Sequence, residues 1–430
     1  MAITADGAFA DVVVAGGGVV GCAIAWRAAA AGLGTVVVDP GAGDAASLVA
    51  AGMLAPVSES VFGEEALLRL NLLAVSRFPG FAAELEEAAG RTVGLRREGT
   101  LAVAYDPDDR EALQRLTDFR RSVGLDADEL DSRACRDLEP FLAPGVRGGV
   151  LFAGDWSVDS RRFASALRAA ARAAGVTFIK GRVTAVRTGA DGAVAGVRLA
   201  RGGTAGADGS AAGDRSGPGA AGDRSGPGEA GGAGGDRSGP GQIGEIGSAT
   251  VVVAAGCWSA GIEGLPAGLR DAVRPVKGQL LRLRLPAGMP PVTRRTIRAL
   301  VRGADVYLVP RADGELVVGA TQEERGHDVT VTAGAVHDLL HDAMSVLPVA
   351  SELALAETCA GLRPGTLDNG PIVGPAGPPG LLMATGHYRN GILLSAATAD
   401  AVAACLAGRG PAEEWEPFSP RRFTALAGTR

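Results

Sequence analysis

The stretch ATGHYRNGILL, residues 384–394, places an arginine, Arg389, between apolar and glycine-rich flanks of the kind that form a buried strand-to-helix turn. A guanidinium does not shed its charge in a protein, and burying it unpaired is costly. The pattern asks for an anion at that turn. Near the start of the chain, Gly16, Gly18 and Gly21 stand in GxGxxG spacing. Asp39 follows at the distance of about 20 residues that a ribose-binding acid requires. Gly16 allows the tight turn, Gly18 lets the backbone approach a pyrophosphate, and Gly21 lets helix and strand pack closely. The helix N-terminus then faces the phosphates. Asp39 in place of an arginine points to a dinucleotide without a 2′-phosphate, and leaves FAD and NAD both open.

These residues need elements to hold them. DVVVAG reads as a buried strand, followed by an alanine-rich helix from Val19 to Ala31, and GTVVVDP as a second buried strand ending at Asp39. Residues 64–89 read as a helix with a kink or break before Pro79, and residues 108–123 as a polar amphipathic helix. Residues 160–175 read as a helix with a serine cap and a glycine stop. The alternating runs of VYLVPRADGELVVGAT, 306–321, predict a hairpin. A helix over 333–347, a strand over 381–385 and a helix over 391–407 close the chain. SATVVVAAGCWS, 248–259, places a further buried strand before Ala255 and Gly256, similar to the strand that returns beside the dinucleotide in two-domain flavoproteins.

Three copies of GDRSGPG, at 213–219, 222–228 and 235–241, mark the segment 202–247 as an insertion. It has almost no large apolar residue and cannot bury enough surface to offset its ordering entropy. It is expected to be a disordered surface loop within a hairpin, which costs little thermodynamically.

The chain has 430 residues, 47% of them hydrophobic and 21% charged, an ordinary globular balance with room for two domains. A formal net charge of -6 argues against a nucleic-acid partner. No apolar run reaches the ~20 residues of a membrane span, and the N-terminal apolar run lacks a preceding basic segment. Cys22, Cys135, Cys257, Cys359 and Cys405 are scattered, which suits buried free thiols in a reducing cytosol. Neither the cysteines nor the four histidines show metal-ligand spacing.

AASLVAAGMLAP (45–56), KGQLLRL (277–283), the 306–321 hairpin, GLRPGTLDNGPIVGP (361–375) and ATGHYRNGILLSAATAD (384–400) occur in an order that resembles the D-amino-acid-oxidase family of FAD enzymes, most nearly its glycine oxidases of the thiamine pathway. The resemblance covers most of the chain apart from the insertion. It implies an α/β two-domain flavoprotein. A Rossmann-like FAD domain would be assembled from residues 8–88, 149–273 and 356–430, and an antiparallel-sheet substrate domain from 89–148 and 274–355. It implies non-covalent FAD, a small amino-acid substrate, oxygen as acceptor and, by family analogy, a tetramer.

The same resemblance assigns roles. Arg363 matches the arginine that grips the substrate carboxylate, and a guanidinium fork suits that task. Tyr307 matches a tyrosine beside that carboxylate, Arg389 a second active-site arginine, and Met53 a pocket wall. Ser47, Val183, Ala255, Gly256 and the run Gly386, His387, Tyr388, Arg389, Asn390, Gly391 and Ile392 join Gly16, Gly18, Gly21 and Asp39 as flavin contacts. His387 fits a flavin-contacting turn better than a base. The residues themselves leave alternatives. Arg363 could pair structurally with Asp368 or Glu357, Tyr307 could only pack the hairpin, and Met53 could be core. The expected reaction is hydride transfer from glycine to flavin, with peroxide and an imine or glyoxylate as products and thiazole formation as the use. The rivals are a D-amino-acid oxidase or dehydrogenase, a sarcosine-type oxidase, an NAD-dependent dehydrogenase and a non-catalytic dinucleotide-binding regulator.

Overall fold

The computed structural model describes residues 9–41, 46–200 and 242–424. Two eight-stranded sheets organise them. The first has the order Ile372–Pro375, Leu381–Thr385, Gln242–Val253, Phe9–Ala15, Thr35–Asp39, Thr177–Lys180. All neighbours in that order run parallel except the antiparallel edge pair Ile372–Pro375 and Leu381–Thr385. Such a sheet is covered on both faces, which is why its strands read as unbroken valine runs rather than alternations. Val13, Val14, Val37, Val251, Val252 and Val253 are all fully buried.

The helix Val19–Ala30 follows the first strand and is apolar nearly all round, as a helix buried between layers must be. It packs against the C-terminal helix Gly391–Leu406 and the helix Ser160–Ala173. The latter is capped by Asp159, whose carboxylate accepts from the amides of Arg161 and Arg162, and not by the expected Ser160. Asp159 lies one position before the serine, in extended backbone, which is where an N-cap belongs. The helix Glu65–Ala89 continues through Pro79 without the expected break. Phe78, Phe81 and Leu85 are buried in the main core on either side of the proline, and that packing offsets the lost hydrogen bond.

The second sheet has the order Ala354–Gly365, Arg274–Arg284, Glu315–Gly319, Ala304–Pro310, Thr296–Val301, Thr100–Ala104, Gly149–Phe152, Asp128–Leu130. It is antiparallel apart from the parallel pair Thr296–Val301 and Thr100–Ala104. The helix Ala333–Val346 covers part of it, burying Leu339, Ala343 and Val346. Strands Gly149–Phe152 and Ala354–Gly365 belong to this sheet, so the boundaries drawn at 149 and 356 fall before and within strands that pair here rather than in the first sheet.

The insertion lies mostly outside the described residues, but its last part, 242–247, is not loop. Gln242–Val253 is one long strand that pairs antiparallel with Val194–Ala200 and then parallel with Phe9–Ala15. Cys22, Cys135 and Cys257 are buried, Cys359 and Cys405 half-buried, and all are free thiols. Among the described residues no helix is long and apolar enough to cross a membrane.

Candidate active site

A cavity of about 830 Å³ runs between the two sheets. At one end it is lined by Gly16, Gly18, Asp39 and Ser47, at the other by Met53, Tyr307, Arg363 and Arg389. The tightness of the nucleotide end can be read from its glycines. A Cβ on Gly16 would stand 2.4 Å from the carbonyl oxygen of Ala254, and one on Gly21 would stand 2.0 Å from that of Gly16. Strand, helix and returning strand meet here with no room for a side chain. Asp39 accepts from the amide of Gly17 at 2.7 Å and that of Gly41 at 2.8 Å. Each carboxylate oxygen keeps a further lone pair for ribose hydroxyls. Arg168, which sequence reasoning passed over, reaches from Ser160–Ala173 to the carbonyl of Gly17 at 3.2 Å and lies 3.7 Å from Asp39. Ser47 accepts from the amide of Val19 at 3.1 Å and so fixes the start of the first helix. Val183, Ala255 and Gly256 complete this wall. These features fit an extended dinucleotide, with the opening turn of Val19–Ala30 at its phosphates.

At the other end the second sheet forms a floor of glycines. A Cβ on Gly278 would lie 2.4 Å from the Arg363 guanidinium, and one on Gly319 would lie 2.5 Å from the Tyr307 hydroxyl. Gly319 is the cross-strand partner of Tyr307, and Gly361 is that of Gly278. The missing side chains let Arg363 and Tyr307 lie flat across the sheet. Arg363 donates to the carbonyls of Thr321 at 3.1 Å and Lys277 at 3.3 Å. Neither carboxylate proposed as its structural partner is available. Glu357 is bound by Arg161 at 2.6 Å, and Asp368 by Arg422 at 2.8 Å. Burial raises the Tyr307 phenol above its usual range, with Arg363 opposing in part, so the hydroxyl stays a donor at neutral pH. Met53 is half-buried, packs against the cluster of Val49, Ala51, Leu280, Val309 and Val317, and also lines the cavity, so it is both core and wall.

Gly278→Ala is a direct check on this floor. The added methyl must displace the Arg363 fork, while the exposed surface and the sheet ladder are untouched. The expected result is a folded protein that retains FAD and loses at least about tenfold in apparent substrate affinity, equivalent to one charged hydrogen bond. Unchanged affinity by steady-state kinetics would show that the guanidinium does not depend on that glycine.

The run 385–392 turns from strand to helix beside this floor. The amide of Tyr388 donates to the carbonyl of Pro364 at 2.9 Å, which ties the turn to the strand that carries Arg363. Tyr388 has φ +46°, a strained value for an aromatic residue. Arg389 stacks over its ring at 5.0 Å and has no hydrogen bond or ion pair among the described residues. This half-buried cation faces the cavity with no anion beside it among the described residues. His387, Tyr388, Gly391 and Ile392 also line the cavity. Gly386 and Asn390 do not. Gly386 has φ +75° and packs against Thr366 and Ile372, and Asn390 faces a small side pocket with Glu64 and Asn71.

His387 is buried and bonded to the Thr398 hydroxyl at 2.9 Å. Burial pushes its pKa down to about 3, so the ring is neutral and poorly suited to proton abstraction. The unfolded ring, near 6.5, takes up a proton first as pH falls. Its contribution to stability is therefore complete above that value and is lost as pH falls toward the folded value. In urea unfolding, the wild type should lose more stability than His387→Asn between pH 7.5 and pH 5. Parallel losses would remove the assignment.

Sequence reasoning also missed Glu59, Arg298, Trp258 and His327. Glu59, Trp258 and His327 line the cavity, and Arg298 pairs with Glu59 at 3.2 Å. A signal for Glu59 was present, since it is the one charged residue between Ala45 and Gly63. Among the described residues no group of three or more histidine, cysteine or acidic side chains could hold a metal ion.

A parallel sheet bearing a dinucleotide turn, joined to an antiparallel sheet that presents cations to the same cavity, defines a two-domain dinucleotide-dependent oxidoreductase. The particular family follows from comparison. Residues 11–405 match the model of the FAD dependent oxidoreductase (DAO) family, and the chain belongs to it. Its cofactor is FAD. It is 30% identical over 422 residues to the glycine oxidase of Geobacillus kaustophilus, covering 97% of this chain and 98% of that one. It is 29% identical to the bifunctional protein ThiO/ThiG of Trichormus variabilis, covering 97% of this chain and 56% of that protein. It is 28% identical to the hydrogen cyanide synthase subunit HcnC of Pseudomonas aeruginosa, covering 90% of both. Among solved structures, the glycine oxidase from Geobacillus kaustophilus superposes with a TM-score of 0.77 at 29% identity, covering 96% of this chain and 98% of that one.

Proposed function

We propose that this enzyme oxidises glycine and other small amino acids, passes the electrons to oxygen, and so forms peroxide and an imine that hydrolyses to glyoxylate or serves thiazole formation. The observation that carries this reading is Arg363. It is an arginine in the cavity with only carbonyl partners and with the neighbouring carboxylates already taken. A carboxylate ligand is what such a fork accommodates. Tyr307 donates a hydrogen bond to the same carboxylate, and the bare glycines beneath hold both side chains flat against the sheet. FAD, when bound, supplies the two-electron acceptor beside the substrate α-carbon. The N-terminus of Gly391–Leu406 opens on the cavity, and its positive end favours the negative charge that reduction brings. Arg389 adds to that positive field. With a neutral His387 of low basicity, positioning does most of the work.

The test is peroxide production and flavin bleaching by the purified protein with glycine, sarcosine, D-alanine, D-proline and a bulky D-amino acid. Turnover of glycine with little of the bulky substrate supports the reading. Preference for the bulky substrate moves the function to general D-amino-acid oxidation. Bleaching without peroxide points to another electron acceptor, and flavin that remains attached after denaturation refutes non-covalent binding.

A further inference from the structure

Glu59 stands out among the charged side chains that line the cavity. Asp39, Lys180 and Arg182 belong to the nucleotide end, where Asp39 and Lys180 are cross-strand neighbours. Arg363 and Arg389 are cations. Glu59 is then the one carboxylate at the substrate end among the described residues.

Its position is built with care. The segment that carries it is fixed from behind by two buried charges. Asp155 accepts from the amides of Val57 and Ser58 at 3.0 and 2.9 Å. Arg120 donates to the carbonyls of Val57 and Ser58 at 3.0 and 2.6 Å. The Glu59 carboxylate pairs with Arg298 at 3.2 Å, but Arg298 is shared, being bonded to Asp305 at 2.5 Å. Arg298 therefore does not use up the charge of Glu59. Arg298 is also the cross-strand partner of Tyr307, which brings Glu59 to the phenol. The Tyr307 hydroxyl feels Arg363 and Glu59 with opposite sign, after burial as the main influence. The substrate end of the cavity thus offers a cation, a phenol and an anion in one neighbourhood, the complement of a zwitterion.

We propose that Glu59 receives the substrate amino group, so that an amino acid is held by its carboxylate on Arg363 and by its ammonium on Glu59, across Tyr307. This rests on the reading of the cavity as an amino-acid site. It gives the site a means of telling glycine from glycolate, which has the same size and carboxylate but a neutral hydroxyl. A site built around a charged hydrogen-bond partner discriminates strongly against an analogue that leaves it unpaired.

The test uses the FAD-loaded full chain. The dissociation constant of glycine, or of whichever small amino acid bleaches the flavin, is read from anaerobic reduction rates, and that of glycolate from flavin absorbance. Glu59→Gln is expected to weaken the amino acid about tenfold or more, while glycolate binding stays the same or tightens. Glu59→Asp should recover part of the difference. Arg298 keeps Asp305 as a partner in both variants, which favours a folded product. Equal weakening of both ligands, or no weakening of the amino acid, would overturn the assignment and leave Glu59 as a partner of Arg298 only. If no amino acid bleaches the wild-type flavin, the amino-acid reading fails with it. That failure shows in the wild type, whereas failure of Glu59 alone shows only in the variants.

Discussion

Arg363→Ala is expected to retain FAD and the fold while losing about 10²- to 10³-fold in amino-acid kcat/KM, most of it in KM. The guanidinium lacks an anionic partner among the described residues. Its hydrogen bonds to the carbonyls of Lys277 and Thr321 fix the fork without neutralising it. The remaining donors lie over Gly278 in the cavity. Removing them deletes two charge-assisted bonds to a substrate carboxylate and leaves the neighbouring ion pairs of Glu357 and Asp368 undisturbed. The flavin should stay, because the nucleotide end of the cavity is built from Gly16, Asp39 and their neighbours. Arg363→Lys should fall between the two, since an ammonium keeps the charge but not the fork. Absorbance of the bound flavin and steady-state kinetics decide the matter together. A yellow protein with unchanged KM would remove the clamp.

Gly16→Ala is expected to abolish FAD retention and to lower the unfolding midpoint. Two costs add. The residue has φ +109°, which an L-residue rarely adopts. Its Cβ would also stand 2.4 Å from the Ala254 carbonyl oxygen, on backbone that cannot swing aside. Relief requires the first strand to move away from Gln242–Val253, and these two strands are the centre of the sheet. Gly32→Ala is a fitting control. It has φ +85°, so it shares the conformational cost, but nothing lies within 4 Å of its added carbon. It should lose about 1 kcal/mol and keep FAD. Equal behaviour of the two variants in thermal unfolding and flavin content would mean that close approach to Ala254 is unimportant.

The contrast between these two sites shows what was legible in the sequence. Gly16, Gly18, Gly21 and Asp39 carry a local code, because one turn and one strand fix their geometry, and the valine runs on either side announce a doubly covered sheet. The helix and strand bounds at 333–347, 381–385 and 391–407 followed from periodicity in the same way and agree with the structure to within a residue. Glu59 was visible only as a lone charge in its segment, since its meaning depends on Arg298, which pairs with it, and on Asp155 and Arg120, which hold Val57 and Ser58 beside it from across the fold. The glycines of the second sheet were similarly silent. Gly278 and Gly319 look like ordinary strand interruptions until the pairing of the strands puts them beneath Arg363 and Tyr307. Asp159 outcompeted Ser160 as a helix cap by one position, a distinction that depends on backbone angles rather than residue type. Gly386 is not part of the cavity wall, because the turn points its α-carbon toward Thr366.

The strand order of the first sheet bears on how the chain is made. Phe9–Ala15 is made before the other strands of this sheet, yet its partner Gln242–Val253 follows more than 200 residues later, and Leu381–Thr385, which flanks that partner, later still. The helix Val19–Ala30 likewise waits for Gly391–Leu406 to cover its apolar face. During synthesis the nucleotide-binding half is thus a set of unpaired edges and exposed valines, the condition in which chains aggregate or recruit chaperones. A nascent chain stalled before residue 381 should not acquire protease resistance in this half, however long it is held, and FAD should not be captured until Leu381–Thr385 and Gly391–Leu406 have been made.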